Sequence, residues 1–239
     1  MSWFIIISLI FGAGFVGGLL SFVMPHEKQN LISYLLIATG AYLFSILLRH
    51  IIPSVVVHYG ENILVWILGG FFLQHIIQQF SQGVEHGHTH IHEHLPLQKL
   101  FYIIIGLGIH AFFEAAPLVE SYTSQNIFSS LFVGLILHKI PECFALACLV
   151  SHSVKTNTKR LLWIFMFSLI TPIAIIIFQS YQQSSFYSIQ IFGAAIGLIC
   201  GTLLHISTTI IFETANNKHQ IKWYKILCLV VGFIVSLLL

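Results

Sequence analysis

Aspartate is absent from this 239-residue chain, and only 8% of its residues carry a charge. Soluble domains usually contain about 25% charged residues, because a folded globule has to present a wetted surface to the solvent. So few charges exclude a soluble globular fold. The ten lysines and arginines and the eight glutamates leave a formal net charge of +2, and they form no basic stripe of the kind that binds nucleic acid.

The sequence features that indicate disulfides or a cleavable leader are also absent from the apolar runs. The four cysteines, at Cys143, Cys148, Cys200 and Cys228, all lie within apolar runs, which is typical of small core residues rather than disulfide partners. The first apolar run, 3–23, has neither a basic n-region nor a small-residue cleavage site. We therefore expect it to remain as a helix rather than to be removed as a signal peptide.

What the chain has in abundance is apolar sequence, since 57% of its residues are hydrophobic. Apolar runs of about 18 residues or more recur along it, and such runs are typical of helices that cross a hydrocarbon core about 30 Å thick. We predict an all-α membrane protein, a single transmembrane domain over residues 1–239. Its eight transmembrane helices are expected at 3–23, 31–52, 62–80, 101–119, 127–150, 160–180, 188–212 and 222–239.

The basic residues predict how these helices are oriented. Eight of the ten lie in the loops that follow odd-numbered helices or in the first residues of the next helix, whereas Arg49 ends the second helix and Lys139 lies within the fifth. An excess of lysine and arginine marks cytoplasmic loops. The odd-to-even loops are therefore expected in the cytoplasm, and both termini on the extracytoplasmic side.

The segment 81–100, SQGVEHGHTHIHEHLPLQKL, interrupts the apolar pattern. Its glycines and proline disfavour a helix, so we predict a flexible cytoplasmic loop. Closely spaced imidazoles bind zinc, nickel or copper loosely without any fold; the alternative is a polar linker with incidental histidines. The loop histidines, at every second position, are His86, His88, His90, His92 and His94.

Two His–Glu pairs stand within predicted membrane helices. The fourth helix carries His110 and Glu114, and the fifth carries His138 and Glu142 with Lys139 between them. Each pair is spaced i, i+4, which places both side chains on one face of a helix. A charged side chain at the bilayer centre costs about 2.5–3.5 kcal/mol on insertion scales, so these residues are functional candidates by default.

The two His–Glu pairs are expected at the same depth in the membrane. His110 follows the predicted start at 101, and His138 follows the start at 127 on the opposite side of the membrane. At 1.5 Å per residue both lie roughly 13–16 Å deep, near the midplane. Two imidazoles and two carboxylates can form a four-ligand site that suits zinc and, less selectively, iron(II), manganese, cobalt or cadmium. The alternative is that the pairs serve only as interhelical hydrogen bonds.

These two helices resemble the signature helices of a known family. HAFFE in the fourth helix and HKIPE in the fifth are similar to motifs of the ZIP (Zrt/Irt-like) zinc and iron transporters. GAYLFSILLRHIIP, FSLITPIA and GTLLHIS are similar to further family segments, and His50 matches a family histidine. The resemblance covers essentially the whole chain and implies eight helices, extracytoplasmic termini and a His-rich cytoplasmic loop.

The resemblance also implies a binuclear metal centre between the fourth and fifth helices, with its first metal position on the two His–Glu pairs. The second position departs from the fullest family pattern, because Ala111, Lys139 and Thr171 stand where that pattern has asparagine, an acid and glutamate. We predict a single metal ion. The Lys139 ammonium replaces the second ion and lies within reach of Glu142 and, across the helix interface, of Glu114.

Other histidines and glutamates are candidates for the pathway. His50, His58 and Glu61 are expected at the outer face, where they either collect metal or are merely solvated. His205 and Glu213 in the seventh predicted helix lie progressively nearer the cytoplasm.

The predicted function is transport of a divalent metal ion, zinc by preference, into the cytosol. Zinc is then the transported substrate, no catalytic cofactor is expected, and the protein is not expected to be an enzyme. Its predicted partners are the metal ion and the lipid bilayer, with a homodimer as the candidate assembly, in the plasma or inner membrane rather than an organelle membrane. The alternatives are a metal sensor and a membrane-embedded zinc-dependent hydrolase, for which the sequence has no HExxH motif.

Overall fold

The structure is a computed structural model, and it describes residues 2–24, 29–81, 96–121, 125–184, 188–213 and 223–238. Within these ranges the chain is almost entirely helical and contains no strand. The helices are α1 (Trp3–Val23), α2 (Gln29–Ile46), a π-helical turn (Leu47–Ile51), α3 (Ile52–Tyr59), α4 (Ile63–Ser81), α5 (Leu97–Phe113), α6 (Ala115–Glu120), α7 (Gln125–Ser153), α8 (Asn157–Ser168), α9 (Ile170–Gln182), α10 (Ile189–Glu213) and α11 (Trp223–Leu238).

Three irregularities along these helices follow from proline. Proline has no amide hydrogen, so the carbonyl four residues before it loses its helical hydrogen bond. Pro117 lies four residues after Phe113, where α5 ends, and Pro172 lies four residues after Ser168, where α8 ends; in both cases a helix resumes after one residue. Pro53 stands in the first turn of α3, directly after the π turn.

Among the described residues, six stretches of helix are long and apolar enough to cross a membrane: Trp3–Val23, Leu31–Tyr59, Leu97–Glu120, Ile127–Ser153, Asn157–Gln182 and Ile189–Phe212. Two further helices, Ile63–Gln79 and Trp223–Leu238, are apolar but shorter. The predicted all-α membrane bundle is confirmed, while the count of eight spans and the orientation of the termini stay predictions. The predicted span 31–52 is too short, because the helix continues to Tyr59 through a proline that the first turn of α3 tolerates.

The helices pack as two groups. In the first, α1 packs against α7 and α8, and α5 and α6 pack against α9. In the second, α10 packs against α4 and α2, and α2 packs against α11. Contacts of α2 with α7 and of α4 with α5 join the two groups. The polar residues of α5 and α7 therefore lie within the first group, close to the line where the groups meet.

Glycine brings α1 close to the polar part of α7. A Cβ atom at Gly17 would collide with the backbone carbonyl of Ile140, whereas one at Gly12 would meet no atom within 4 Å. In the second group, Gly70 and Gly201 give α4 and α10 the same kind of backbone contact. Small residues permit such close approach between membrane helices. The position of α7 beside α1 therefore depends on the absence of a side chain at position 17.

Candidate metal centre

Three metal-ligating side chains meet in the interior of the bundle. His110 lies on α5, Glu114 is the residue between α5 and α6, and His138 lies on α7. One ligand atom from each side chain lies within 4.8 Å of the other two, and each residue is at most 4% exposed. Helical spacing on α5 and its packing against α7 thus bring together three of the four ligands expected from the sequence.

Glu114 lies in the one-residue break that Pro117 produces. Its amide still donates to the carbonyl of His110 at 3.0 Å, so its side chain stays one turn from that histidine. Nε2 of His110 and Oε2 of Glu114 are 3.8 Å apart, which is too far for a hydrogen bond. An ion whose ligands lie about 2 Å away can nevertheless bind both atoms. Irregular backbone at membrane depth is tolerated where it lines such a site.

Glu142, the fourth expected ligand, is bound by Lys139. Nζ of Lys139 lies 2.6 Å from Oε2 of Glu142, and it also forms an ion pair with Oε1 of Glu114. The same ammonium lies 5.8 Å from the centre of the Phe167 ring, within the range of a cation–π contact. Lys139 is only 3% exposed. Its charge is therefore balanced by two buried carboxylates and not by solvent.

Thr171 contacts the same carboxylate from α9. Its hydroxyl oxygen lies 2.9 Å from Oε1 of Glu114 and 2.8 Å from the carbonyl oxygen of Ala111, so its single hydrogen is shared between these two acceptors. Oε1 of Glu114 is thus held by Thr171 and by Lys139. Two of the positions that differ from the resemblance's pattern, 139 and 171, therefore contact one carboxylate group, and the carbonyl of Ala111 lies beside Thr171.

Five ligand atoms of this cluster have no hydrogen-bond partner in the described part of the chain. They are Nε2 of His110, both ring nitrogens of His138, Oε2 of Glu114 and Oε1 of Glu142. A buried polar group without a partner costs about 1–3 kcal/mol, and a divalent cation would satisfy several of these atoms at once. The unpartnered imidazoles also argue against the alternative in which the histidines serve only as interhelical hydrogen bonds.

A second polar cluster lies where α3, α6 and α9 end. The Tyr59 hydroxyl donates to Oε1 of Glu120 at 2.7 Å, and the Gln182 amide donates to Oε2 at 3.1 Å. His58 Nε2 lies 3.9 Å from Oε1. We call Glu120, His58 and the adjacent cavity of about 110 Å³ the mouth. Sequence reasoning missed Glu120 because the predicted span ended at residue 119, although a glutamate at a helix end on the same side as His58 was a usable signal.

The metal centre lies between two cavities. Pro117, three residues after Glu114, forms part of the wall of the mouth. Ala147, five residues after Glu142 on α7, forms part of the wall of a second cavity of about 390 Å³, together with Arg160 at the start of α8. Space for an ion and its water is therefore present on both sides of the cluster.

The remaining pathway candidates lie apart from the centre. His50 is half-buried in the π turn and does not line the mouth. His205 is buried, and its Nε2 lies 2.9 Å from Oε1 of Gln78 between α10 and α4. Glu213 ends α10, but its side chain lies outside the described part of the structure. The five loop histidines lie outside the described residues as well.

The chain matches a known protein family and a curated protein. Residues 84–239, which include both His–Glu pairs, match the model of a family described as ZIP zinc transporter. The chain is also 27% identical over 165 residues to Protein zntD of Dictyostelium discoideum, an alignment that covers 64% of this chain and 24% of that protein. The matched segment thus spans about a quarter of the length of that curated relative.

Proposed function

Because this chain belongs to the ZIP zinc transporter family, as its HAFFE and HKIPE motifs predicted, we propose that it carries zinc into the cytosol through the centre formed by His110, Glu114, His138 and Glu142. The chain is an integral, multi-pass membrane protein of a family of transporters, not enzymes; this removes the hydrolase alternative. The observation that carries the proposal is the buried group of three ligand atoms within 4.8 Å of one another.

Glu142 completes the ligand set without releasing Lys139. Each glutamate gives one oxygen to the ammonium, Oε1 of Glu114 and Oε2 of Glu142, and each keeps its other oxygen unpartnered. Glu142 lies outside the group of three ligand atoms that are within 4.8 Å of one another, so its side chain has to shift towards the ion. One zinc ion then takes the two unpartnered oxygens together with one nitrogen from each histidine. In this arrangement the two carboxylates bridge a metal ion and an ammonium, and the ammonium holds the place that a second metal ion would need.

The buried ammonium also stabilises the centre between transport events. Two carboxylates close together in a medium of low dielectric repel each other strongly. Lys139 offsets this repulsion while no metal is bound, and its positive charge weakens the hold of the carboxylates on an arriving ion. A transport site has to bind its ion and also release it, so moderate affinity favours turnover.

The topology that we propose is a single domain over residues 1–239 with eight membrane helices and both termini outside. The positions of the basic residues support this orientation. Lys99 at the start of α5, Lys155 between α7 and α8, and Lys159 in the first turn of α8 are exposed at the end of the bundle opposite the mouth. The mouth then faces outwards and the 390 Å³ cavity faces the cytosol.

The other residues have supporting roles in this proposal. We assign His50 to the outer half of the path and His205 and Glu213 to its inner half from their order along the predicted spans, since none of them is among the described residues that line either cavity. The loop histidines 86–94 bind metal on the cytosolic side. Transport of iron(II) and other divalent cations follows from the same ligand types, and the homodimer and the plasma-membrane location stay predictions.

Flux of radioactive zinc into vesicles that contain the purified protein tests the proposal. Uptake should saturate with zinc concentration and exceed that of protein-free vesicles. Unlabelled iron(II), manganese and cadmium are added one at a time. The extent to which each inhibits uptake of radioactive zinc ranks the affinities of the site for these ions. Absence of zinc uptake by folded, correctly inserted protein, under both an inward proton gradient and no gradient, contradicts the proposed function.

A further inference from the structure

We propose that Glu120 and His58 form a loading site, a second binding site for a divalent metal ion, at the mouth of the bundle. The inference rests on the proposed function only for the direction in which the ion moves. The site itself is defined by groups that bind metal whether or not the central cluster transports it.

The carboxylate of Glu120 is fixed in place but keeps room for a ligand. Tyr59 and Gln182 each donate one hydrogen bond to a different oxygen of this group, and the side chain stays 19% exposed. A carboxylate oxygen offers about two lone-pair sites, so one bond to each oxygen leaves acceptor capacity on both. Both donors are neutral and orient the negative charge without cancelling it.

His58 supplies the second ligand. Its Nε2 lies 3.9 Å from Oε1 of Glu120, and its side chain is 57% exposed, so the imidazole is free to approach an ion from the solvent side. Zinc ligands lie about 2 Å from the ion. Two ligand atoms 3.9 Å apart therefore bind one ion with little movement. α3 packs against α10 and α4 of the second group, and α6 packs against α9 of the first, so an ion bound here contacts both groups.

The cavity beside these ligands suits a partly hydrated ion. Its volume of about 110 Å³ holds several water molecules, and the hydroxyl-bearing residues Ser54 and Ser121 form part of its wall. Pro117 in the same wall lies three residues after Glu114, roughly 4.5 Å along a helix. An ion that leaves the loading site therefore has a short path to the transport centre.

Charge distinguishes this cavity from the one at the other end of the bundle. The described residues that line the mouth include Glu120 but no lysine or arginine. The cavity at the opposite end has Arg160 in its wall and no acidic residue among those described. A cleft with one sign of charge raises the local concentration of ions of the opposite sign. Divalent cations should therefore accumulate at the mouth and not in the other cavity.

Uptake kinetics separate capture of the ion from its transport. In proteoliposomes, Glu120→Gln should raise the KM for zinc by about threefold or more, because local enrichment is lost, and the maximal rate should change by less than about twofold. Glu61→Gln is the matched control, since Glu61 is an exposed glutamate that follows α3 at the same end of the bundle but does not line the cavity. An unchanged KM in Glu120→Gln, or a loss confined to the maximal rate, overturns the proposal.

A further variant separates metal binding from hydrogen bonding. Tyr59→Phe removes the hydroxyl that holds Glu120 and keeps the carboxylate. It should raise the KM clearly less than Glu120→Gln does. An equal effect of the two substitutions would mean that Glu120 acts through its hydrogen bonds, and it would overturn the loading site.

Binding can also be measured without transport. In His58→Cys, cadmium added outside should slow the reaction of the introduced thiol with a membrane-impermeant maleimide, and Glu120→Gln in the same chain should abolish this protection. The unaltered chain gives the background from its four native cysteines. Protection that survives Glu120→Gln overturns the loading site. Protection without zinc uptake by the unaltered protein instead contradicts the transport function and leaves the loading site standing.

Discussion

Lys139 and Glu142 form a buried ion pair, three residues apart on α7, in which Nζ lies 2.6 Å from Oε2. The same ammonium binds Glu114 beyond the end of α5. The two carboxylates are therefore neutralised in part by a residue of the chain before any metal arrives. Each glutamate therefore uses one oxygen to bind Lys139 and keeps the other oxygen for a metal ion.

The carboxylates should be essential for transport. Glu114→Gln and Glu142→Gln each remove a metal ligand of charge −1, and we expect zinc uptake to fall to nearly the level of protein-free vesicles. Glutamine keeps the volume of the side chain and a carbonyl for Lys139, so the protein should still reach the membrane. Glu61→Gln is the control, and uptake is measured per molecule of inserted protein. Uptake at the level of the unaltered chain in a well-expressed double variant would contradict the assignment.

The histidine-rich loop should be dispensable for transport. Serine in place of His86, His88, His90, His92 and His94 removes five imidazoles and leaves the buried centre unchanged. The maximal rate of zinc uptake should stay close to that of the unaltered chain, while the dependence of uptake on cytosolic zinc changes. If this variant lost uptake as completely as Glu142→Gln, the loop would belong to the pathway.

The transport centre should hold one metal ion. We expect one zinc ion per chain between α5 and α7 in protein whose loop histidines are replaced by serine, located by anomalous diffraction and set apart from any ion at the mouth. Lys139→Met should retain this ion, but the empty protein should lose thermal stability because two buried carboxylates lose their common partner. Lys99→Met, at an exposed position on α5, is the control. Two fully occupied ions bridged by Glu114 and Glu142 would falsify the role given to Lys139.

The contact between α1 and α7 should depend on one glycine. Gly17→Ala places a methyl group against the carbonyl of Ile140, and such overpacking typically costs about 1–3 kcal/mol. Gly12→Ala, on the same helix but with open space around it, should be neutral. Thermal unfolding in detergent compares the two variants. Equal midpoints would show that α1 does not pack on α7 as described.

The central cluster could be read from the sequence because it depends on local geometry. The i, i+4 spacing of His110 and Glu114 follows from helical periodicity alone, and the level of His138 follows from the count of residues within a span. The hydrogen bond between Thr171 and Glu114 could not be predicted in this way. It depends on how α9 crosses α5, and a single sequence does not fix that crossing.

The breaks within the helices were harder to predict from the sequence. Pro117 and Pro172 indicate the ends of α5 and α8, because each frees the carbonyl four residues before it. A hydropathy pattern runs through these breaks unchanged, which is why the predicted spans appeared continuous. Glu120 was missed for a related reason, since the apolar run ends before the helix does.

The contacts of Lys139 and Thr171 with Glu114 also restrict the order in which substitutions can exchange the proposed one-ion centre for a two-ion centre. An acid at position 139 alone would remove the ammonium and bury a third carboxylate beside Glu114 and Glu142, which is strongly destabilising whenever the centre is empty. An acid at position 171 first would instead lie next to Lys139 and pair with it. Lys139 can then be replaced at lower cost. The substitution at position 171 is therefore expected to come before the one at position 139.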